Sequence, residues 1–65
     1  MIRNNIYELR VIKRITQEEL AHKLGVTRQT IISLEKNKYT PSLEMGFKVA
    51  KLFQKRIEEI FEYSE

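Results

Sequence analysis

The 65-residue sequence contains no cysteine and only one histidine, His22. Without cysteine the chain can form no disulfide and no thiolate metal site, and one imidazole leaves a metal ion without a second ligand of that kind. The neighbouring carboxylates Glu18 and Glu19 would point to different sides of a helix, so they do not form a catalytic pair. We therefore expect a protein that is not an enzyme and that binds no metal and no cofactor.

The sequence also lacks a Gly-rich phosphate loop, an internal repeat, a low-complexity tract and a linker. No apolar run approaches the roughly 18 residues of a membrane span, and the N-terminus has no apolar core of a signal peptide. We expect one domain over residues 1–65 that lies in the cytoplasm and makes no membrane contact. A domain this short leaves no room for a separate ligand-sensing unit, so no small-molecule ligand is expected.

The small size of the chain limits its core. A domain of 65 residues buries only about 60% of the surface that its unfolded chain exposes. Because no disulfide can compensate, helix packing or a second subunit must supply the remaining stability. Size alone therefore makes a homodimer plausible.

Charge is distributed unevenly along the chain. Residues 1–38 contain eight Lys or Arg and four Glu, a balance of +4, whereas residues 39–65 contain four Lys or Arg and five Glu, a balance of −1. An excess of positive charge in one half is expected where that half faces a polyanion. On charge alone, however, an ordinary solvated basic surface is the simpler interpretation.

The stretch 16–36, TQEELAHKLGVTRQTIISLEK, predicts two short helices joined by a tight turn. Thr16 and Glu19 fit a capping box at the start of the first helix, and Thr27 can cap the second. Gly25 suits the left-handed backbone that often ends such a turn. The apolar residues with the spacing of a shared face are Leu20, Ala21, Leu24, Val26, Ile31 and Leu34. This pattern is typical of a helix-turn-helix.

The residue types at the fixed offsets of this motif are Gln17, Ala21, Gly25, Ile31 and Leu34. On these residues the chain resembles the lambda-repressor/Cro-type helix-turn-helix regulators, the XRE family. The resemblance extends from Leu9 to Phe61 and covers nearly the whole chain. Within the family the chain is most similar to small stand-alone regulators such as the repressor of the cytolysin operon.

The resemblance implies an all-α fold of five helices in which the second and third read double-stranded DNA. It implies a transcriptional regulator, most simply a repressor on an inverted-repeat operator, that is associated with the nucleoid when bound. It also implies a partly buried ion pair between Arg10 and Glu35, although two independent surface charges remain an alternative. Val11 and Ile12 depart from the family pattern, which usually has polar residues there, and they can form an exposed patch.

The second helix of the motif presents a polar face when it is rotated by about 100° per residue from Ile31. Glutamine can bind adenine through two hydrogen bonds, arginine can bind guanine, and an apolar group can contact a thymine methyl. The predicted base-reading residues are Arg28, Gln29, Ile32 and Ser33. The predicted phosphate-contacting residues are Gln17, Thr27, Thr30, Lys36, Asn37, Lys38 and Tyr39. In an isolated helix a polar solvent face would be the better interpretation, but the preceding turn signature favours DNA.

The first helix is expected to begin after Asn4 or Asn5 and to run to about Lys13, with Ile6 and Leu9 facing inward. Either Ile12 or the stem of Lys13 can complete that inward face. After the motif, Asn37 tolerates a left-handed cap, and Pro41 forbids continuation of the helix. Tyr39 can contact a phosphate or pack against Pro41.

Ser42 can cap the next helix, whose predicted inward stripe is Leu43, Gly46, Val49, Ala50 and Phe53. The segment Gln54 to Arg56 lacks the usual Gly or Asn stop, so the sequence does not fix that boundary. Ile57, Ile60 and Phe61 mark a last short helix. The residues that follow it can pair with residues 1–4 as a two-stranded ribbon that joins the termini.

The C-terminal segment is more apolar than a frayed terminus should be. The predicted dimer interface consists of Ile57, Ile60, Phe61 and Tyr63, some of which must also cover the core. Two hypotheses compete with operator binding: an interaction module, such as an antitoxin-like partner of another protein, and a non-specific DNA-coating protein. A regulatory protein partner is also compatible with the sequence.

Overall fold

In a computed structural model that describes residues 1–65, five helices and a two-stranded antiparallel sheet follow the order β-α-α-α-α-α-β. The helices are α1 (Ile6–Ile12), α2 (Gln17–Leu24), α3 (Arg28–Glu35), α4 (Leu43–Phe53) and α5 (Ile57–Ile60), and the strands are β1 (Ile2–Asn4) and β2 (Phe61–Tyr63). The predicted five-helix fold is confirmed, and the ribbon that joins the termini is present. No helix combines the length and the apolar character needed to cross a bilayer.

Local signals define both helices of the motif. The amide of Glu19 donates to Thr16 Oγ1 at 3.0 Å, while the amide of Thr16 donates to Glu19 Oε1 at 2.7 Å. The hydrogen bond from the backbone amide of Thr16 to the carboxylate, and after it the side-chain hydroxyl of Thr16, lower the pKa of Glu19 below its ordinary value. Gly25 ends α2 with φ 73°, and Thr27 Oγ1 accepts the amide of Thr30 at 3.2 Å to cap α3. The predicted caps and turn of the motif are therefore confirmed.

The core is a single cluster of apolar side chains to which every helix contributes. Its eleven buried members are Ile6, Leu20, Ala21, Leu24, Ile31, Leu34, Met45, Val49, Ala50, Phe53 and Ile60. Full burial of one large aliphatic side chain contributes roughly 1.5–3 kcal/mol relative to leaving it exposed. Because α3 is buried through Ile31 and Leu34, which are both 0% exposed, its opposite side is left facing outward.

The predicted inward stripe of α4 is wrong at its first position. Leu43 is 74% exposed, and Met45, which the prediction omitted, is buried. At 100° per residue, Leu43 lies about 90° from the centre of the buried stripe, so the first turn of α4 directs it outward. The prediction was correct for Gly46, Val49, Ala50 and Phe53. Their spacing did not determine which residue of the first turn of α4 faces the core.

Ile12, one of the two candidates for the inward face of α1, lies on the outward side of the helix. Ile12 is 76% exposed and Val11 is 49% exposed, whereas Ile6 is completely buried. Lys13 is also exposed, so neither candidate completes the inward face. The exposed patch at Val11 and Ile12 is the alternative that the structure supports.

The α4–α5 boundary is made without the usual residue types. Gln54 adopts the left-handed conformation at φ 55°, where a Gly or Asn is more common. At the start of α5, the amide of Arg56 donates to Glu59 Oε1 at 2.8 Å. This bond lowers the pKa of Glu59 below its ordinary value. The carboxylate of Glu59 thus binds the N-cap amide of α5, as the third residue of a capping box does, where no Ser or Thr is present.

The terminal ribbon brings the two ends of the chain together. Its register pairs Ile2 with Tyr63, Arg3 with Glu62, and Asn4 with Phe61. Hydrogen bonds at both ends close the ribbon: the N-terminal amine donates to the carbonyl of Ser64 at 2.7 Å, and the amide of Asn5 donates to the carbonyl of Ile60 at 3.1 Å. An isolated ribbon of this length is marginal, so its support comes from the helices beside it.

The two glycines should respond oppositely to alanine. A Cβ on Gly46 would lie 3.9 Å from Cε2 of Phe61, an ordinary contact, whereas Gly25 has the positive φ that alanine adopts poorly. We expect Gly46→Ala to raise the free energy of unfolding by about 0.5–1 kcal/mol and Gly25→Ala to lower it by about 1 kcal/mol or more. Urea denaturation at one protein concentration measures both. A less stable Gly46→Ala would show that Phe61 needs the space above Gly46.

Candidate nucleic-acid interface

The outward side of α3 carries the residues that were predicted to read bases. Arg28 and Gln29 are exposed, and Ile32 and Ser33 are half-buried. The two at the start of the helix are the most accessible, because the helix is anchored by Ile31 one turn further along. The structure therefore brings all four to one side of α3, with unequal access.

A buried ion pair fixes α3 relative to α1. Arg10 Nε donates to Glu35 Oε2 at 2.6 Å, and Arg10 Nη2 donates to Glu35 Oε1 at 3.4 Å. The two side chains are 12% and 6% exposed. Arg10 also donates to the carbonyl of Ile15 at 3.0 Å, and its guanidinium lies 5.3 Å from the centroid of the Tyr7 ring. The partly buried ion pair implied by the resemblance is present.

Gln17 extends this network to α2. Its Nε2 donates to Glu35 Oε1 at 3.1 Å, so the carboxylate of Glu35 accepts hydrogen bonds from two other helices. A carboxylate with little solvent contact is stable only when such partners are present. The side chain of Gln17 is thereby occupied, although its backbone amide still lies in the first turn of α2, where helical donors lack partners.

Thr27 and Thr30, both predicted phosphate contacts, bind each other. Their hydroxyl oxygens are 3.0 Å apart, and Thr27 also caps α3. Thr27 is exposed, while Thr30 is half-buried. The pair lies at the N-terminal end of α3, which favours a negatively charged group because of the helix dipole.

The loop after α3 presents Lys36, Lys38 and Tyr39 to solvent. Asn37 has φ 59°, so its predicted left-handed conformation is observed. Its side chain is committed within the protein, because Asn37 Oδ1 accepts hydrogen bonds from the backbone amide and the Nδ2 of Asn4 at 3.1 and 3.3 Å. For a contact with a phosphate, Asn37 therefore retains only the N–H donors of its side-chain amide.

Asn4 is the residue of this region that the sequence did not identify as functional. It was singled out only as one candidate helix cap, and its Oδ1 does accept the amide of Ile6 at 3.0 Å. Its Nδ2 also donates to the carbonyl of Leu34 at 2.9 Å. No local sequence signal points to contacts across 30 or more positions.

Three exposed cations near α3 have no carboxylate partner. The ion pairs of the protein join Arg10 to Glu35, Lys48 to Glu44 and Arg56 to Glu59. Arg28, Lys36 and Lys38, the exposed cations of α3 and the loop after it, take part in none of these pairs. Because they follow one side of α3 and its loop, they supply a positive field along one edge of the molecule.

The predicted dimer interface needs a correction. Ile60 is 3% exposed, because the single turn of α5 directs it into the core, so it cannot form part of a free surface. Ile57 and Phe61 are half-buried, and Tyr63 is 72% exposed. An apolar groove lies beside them, and its lining residues are Ile2, Pro41, Ser42, Leu43, Gly46, Ile57 and Phe61.

The rim of this groove contains an apolar residue that the sequence analysis assigned to the core. Leu43 protrudes from the start of α4, and Phe47, one turn later, is 59% exposed. Side chains at i and i+4 lie on the same side of a helix. The exposed apolar side chains of Leu43 and Phe47 therefore lie next to an apolar groove on one side of the molecule.

Known proteins resemble this chain over nearly its full length. The helix-turn-helix family model HTH_3 matches residues 6–60. An uncharacterized HTH-type transcriptional regulator of Methanocaldococcus jannaschii is 52% identical over 64 residues, which cover 98% of this chain and 97% of that protein. The uncharacterized HTH-type transcriptional regulator YgzD of Bacillus subtilis is 40% identical over 60 residues, which cover 92% and 91% of the two chains.

A repressor and a solved structure extend the comparison. The cryptic phage CTXphi transcriptional repressor RstR of Vibrio cholerae is 37% identical over 65 residues, which cover 100% of this chain and 59% of the repressor. The crystal structure of a candidate DNA-binding protein from Bacteroides fragilis superposes with a TM-score of 0.84 at 32% identity, covering 95% of this chain and 100% of that one. The fold and the motif thus recur together.

The buried ion pair gives a stability prediction. Because Arg10 and Glu35 are nearly excluded from solvent, removal of either partner leaves an uncompensated group. We expect Arg10→Met and Glu35→Gln each to lower the free energy of unfolding by about 3–5 kcal/mol. The matched control is Glu44→Gln, which breaks an exposed ion pair with Lys48 and should cost no more than about 1 kcal/mol. Thermal melting measures all three variants, and Arg10→Met and Glu35→Gln that melt like the wild type and Glu44→Gln would contradict the prediction.

Proposed function

The chain belongs to the helix-turn-helix family of DNA-binding transcriptional regulators, and we propose that it binds a specific site in double-stranded DNA with α3 in the major groove. Its family and relatives are DNA-binding regulators rather than enzymes. The observation that carries the proposal is the exposure of Arg28 and Gln29 on a helix whose other side is completely buried. A helix that is held against the core and begins with two exposed hydrogen-bonding side chains suits direct reading of base edges.

The phosphate contacts come from two places on either side of α3. Lys36, Lys38 and Tyr39 reach one strand from the loop, and the N-terminal end of α2 at Gln17 contributes backbone amides. Each neutralised phosphate releases counterions, so log affinity falls linearly with log salt concentration. The unpaired cations supply attraction for any DNA, and the α3 side chains supply the preference for one sequence.

The regulatory outcome that we propose is repression. A 65-residue protein bound at a promoter can exclude other proteins from that DNA, and RstR, which is similar over the full length of this chain, is named a repressor. Control would come from the protein's concentration, from competition for the site or from a protein partner.

We further propose that two copies bind an inverted-repeat operator. One recognition helix reads only a few base pairs, so a second copy adds both affinity and specificity. The surface for this contact consists of Ile57, Phe61 and Tyr63 together with Leu43 and Phe47. Because Leu43 and Phe47 lie on the same side as the groove, a two-fold axis can place these side chains of each copy against the groove of the other. That axis would set the two copies of α3 about 34 Å apart, one turn of DNA.

Gln29 provides the test of direct reading. After selection of a preferred site from random DNA, we expect Gln29→Ala to weaken binding to that site by about 1–3 kcal/mol, because two hydrogen bonds to one base are lost. Binding to random DNA should barely change. The control is His22→Ala, an exposed side chain of α2 outside the proposed interface, which should bind like the wild type. Equal losses on both DNAs would show that Gln29 reads no base.

The same measurements separate the competing functions. A specific binder should prefer its site by about 10³-fold or more, whereas a DNA-coating protein would bind all sequences alike. An antitoxin-like interaction module would show no steep dependence of DNA affinity on salt. Lys38→Ala should reduce the slope of log affinity against log salt by about 1, whereas Lys51→Ala on α4 should leave it unchanged.

Charged substitutions in the proposed dimer surface test whether the dimer forms. We expect the wild type to dimerise at tens of micromolar and Leu43→Glu and Tyr63→Asp to remain monomeric, because each puts a charge into an apolar contact. Ile12→Lys is the control, since Ile12 is equally exposed but lies on α1. Sedimentation equilibrium gives the mass of each. A wild type that stays monomeric and binds a half-site as tightly as the full palindrome would rule out this arrangement.

A further inference from the structure

All hydrogen bonds between the terminal ribbon and the region of α3 come from one residue, Asn4. Its Nδ2 donates to the carbonyl of Leu34 at 2.9 Å, and its backbone amide and Nδ2 donate to Asn37 Oδ1 at 3.1 and 3.3 Å. Its Oδ1 accepts the amide of Ile6 at 3.0 Å. One side-chain amide group thus connects the start of α1, the end of α3 and Asn37, the second residue beyond that end.

These bonds act where the direction of the DNA-facing loop is decided. The carbonyl of Leu34 belongs to the last turn of α3, where helical acceptors lack partners within the helix. Asn37 turns the chain through its left-handed conformation, with its amide on the carbonyl of Leu34 at 3.1 Å and the amide of Lys38 on the carbonyl of Ser33 at 2.9 Å. A side chain that holds both Leu34 and Asn37 therefore also fixes the position from which Lys38 projects.

We propose that Asn4 is a positioning residue for DNA binding, which holds the end of α3 and the turn at Asn37 so that Lys36 and Lys38 meet the phosphates. This inference rests on the proposed function, because it concerns the same interface. Asn4 itself does not need to touch DNA. Its effect on binding comes from the geometry of two cations that are otherwise free to move with an exposed loop.

The neighbouring Asn5 provides a matched control. Its Nδ2 donates to the carbonyl of Glu59 at 3.2 Å, a bond of the same chemistry that joins the same segment to α5 instead of α3. Asn5→Ser therefore removes a comparable long-range hydrogen bond. If Asn4 acted only through stability, Asn4→Ser and Asn5→Ser would affect DNA binding alike.

Two variants remove the Asn4 contacts from opposite sides. In Asn4→Ser the hydroxyl can still cap α1, but it is too short to reach the carbonyl of Leu34. In Asn37→Gly the left-handed backbone is retained without strain, and the acceptor for Asn4 is lost. If Asn4→Ser does not fold, amide exchange at Lys38 in Asn37→Gly decides the matter, because that readout does not depend on a phosphate contact by Asn37 itself.

Affinity and its salt dependence are measured on the selected DNA site, well below the melting temperature of each variant. We expect Asn4→Ser and Asn37→Gly each to weaken binding by about tenfold, the loss of roughly one charge-assisted contact. The slope of log affinity against log salt should fall by about 1 in both. Asn5→Ser should stay within about twofold of the wild type and keep its slope, even where its melting temperature falls.

Amide hydrogen exchange in the free protein gives a readout that needs no DNA. In Asn4→Ser the amides of Asn37 and Lys38 should exchange about tenfold faster than in the wild type, because the turn opens locally. The amides of Gly25 and Val26, which close the turn after α2 with bonds to the carbonyls of His22 and Ala21, are the internal reference and should not change.

The outcomes distinguish this inference from the proposed function. Wild-type affinity and slope in both Asn4→Ser and Asn37→Gly would overturn the positioning role, as would exchange at Lys38 that is no faster than in the wild type. A wild type with no sequence preference would contradict operator binding instead. The positioning role would then be decided by the salt slope on random DNA together with the exchange at Lys38.

Discussion

The carboxylate of Glu35 is the one polar group on which the arrangement of the motif depends. It belongs to α3, and it accepts hydrogen bonds from Arg10 of α1 and Gln17 of α2 while its side chain is only 6% exposed. A charge with this little solvent contact requires hydrogen-bond partners, whereas apolar contacts are not directional. The apolar core drives the helices together, and this network selects the angle at which α3 faces outward.

The motif could be predicted from the sequence because its signals are local. Thr16 with Glu19, Gly25 and Thr27 each act within about one helical turn, so their residue types are sufficient to predict the caps and the turn. The apolar period of α2 and α3 then identifies the buried side of each helix. The ribbon was foreseen for a weaker reason: residues 1–4 are too few for a helix, and the residues at the other end of the chain could extend beside them.

Features that depend on the relative placement of distant segments could not be predicted. The period of α4 does not fix the phase of its first turn, so Leu43 was assigned to the core in place of Met45. The depth of Ile60 depends on where the single turn of α5 lands against the other helices. The bonds from Asn4 to Leu34 and Asn37 cross at least 30 positions, and asparagine is common enough near helix ends that its type alone carries no signal.

The ribbon also bears on the order in which the elements of the fold form. Met1 and Ser64 are hydrogen-bonded across 63 positions, whereas the contacts of α2 with α3 are nearly adjacent in sequence. Closing a long loop costs entropy that the few bonds of a short ribbon cannot offset until the helices are packed beneath it. In synthesis, β2 also follows all five helices. These constraints favour formation of the helix pair before the ribbon, whose strand β1 contacts the end of α3 through Asn4.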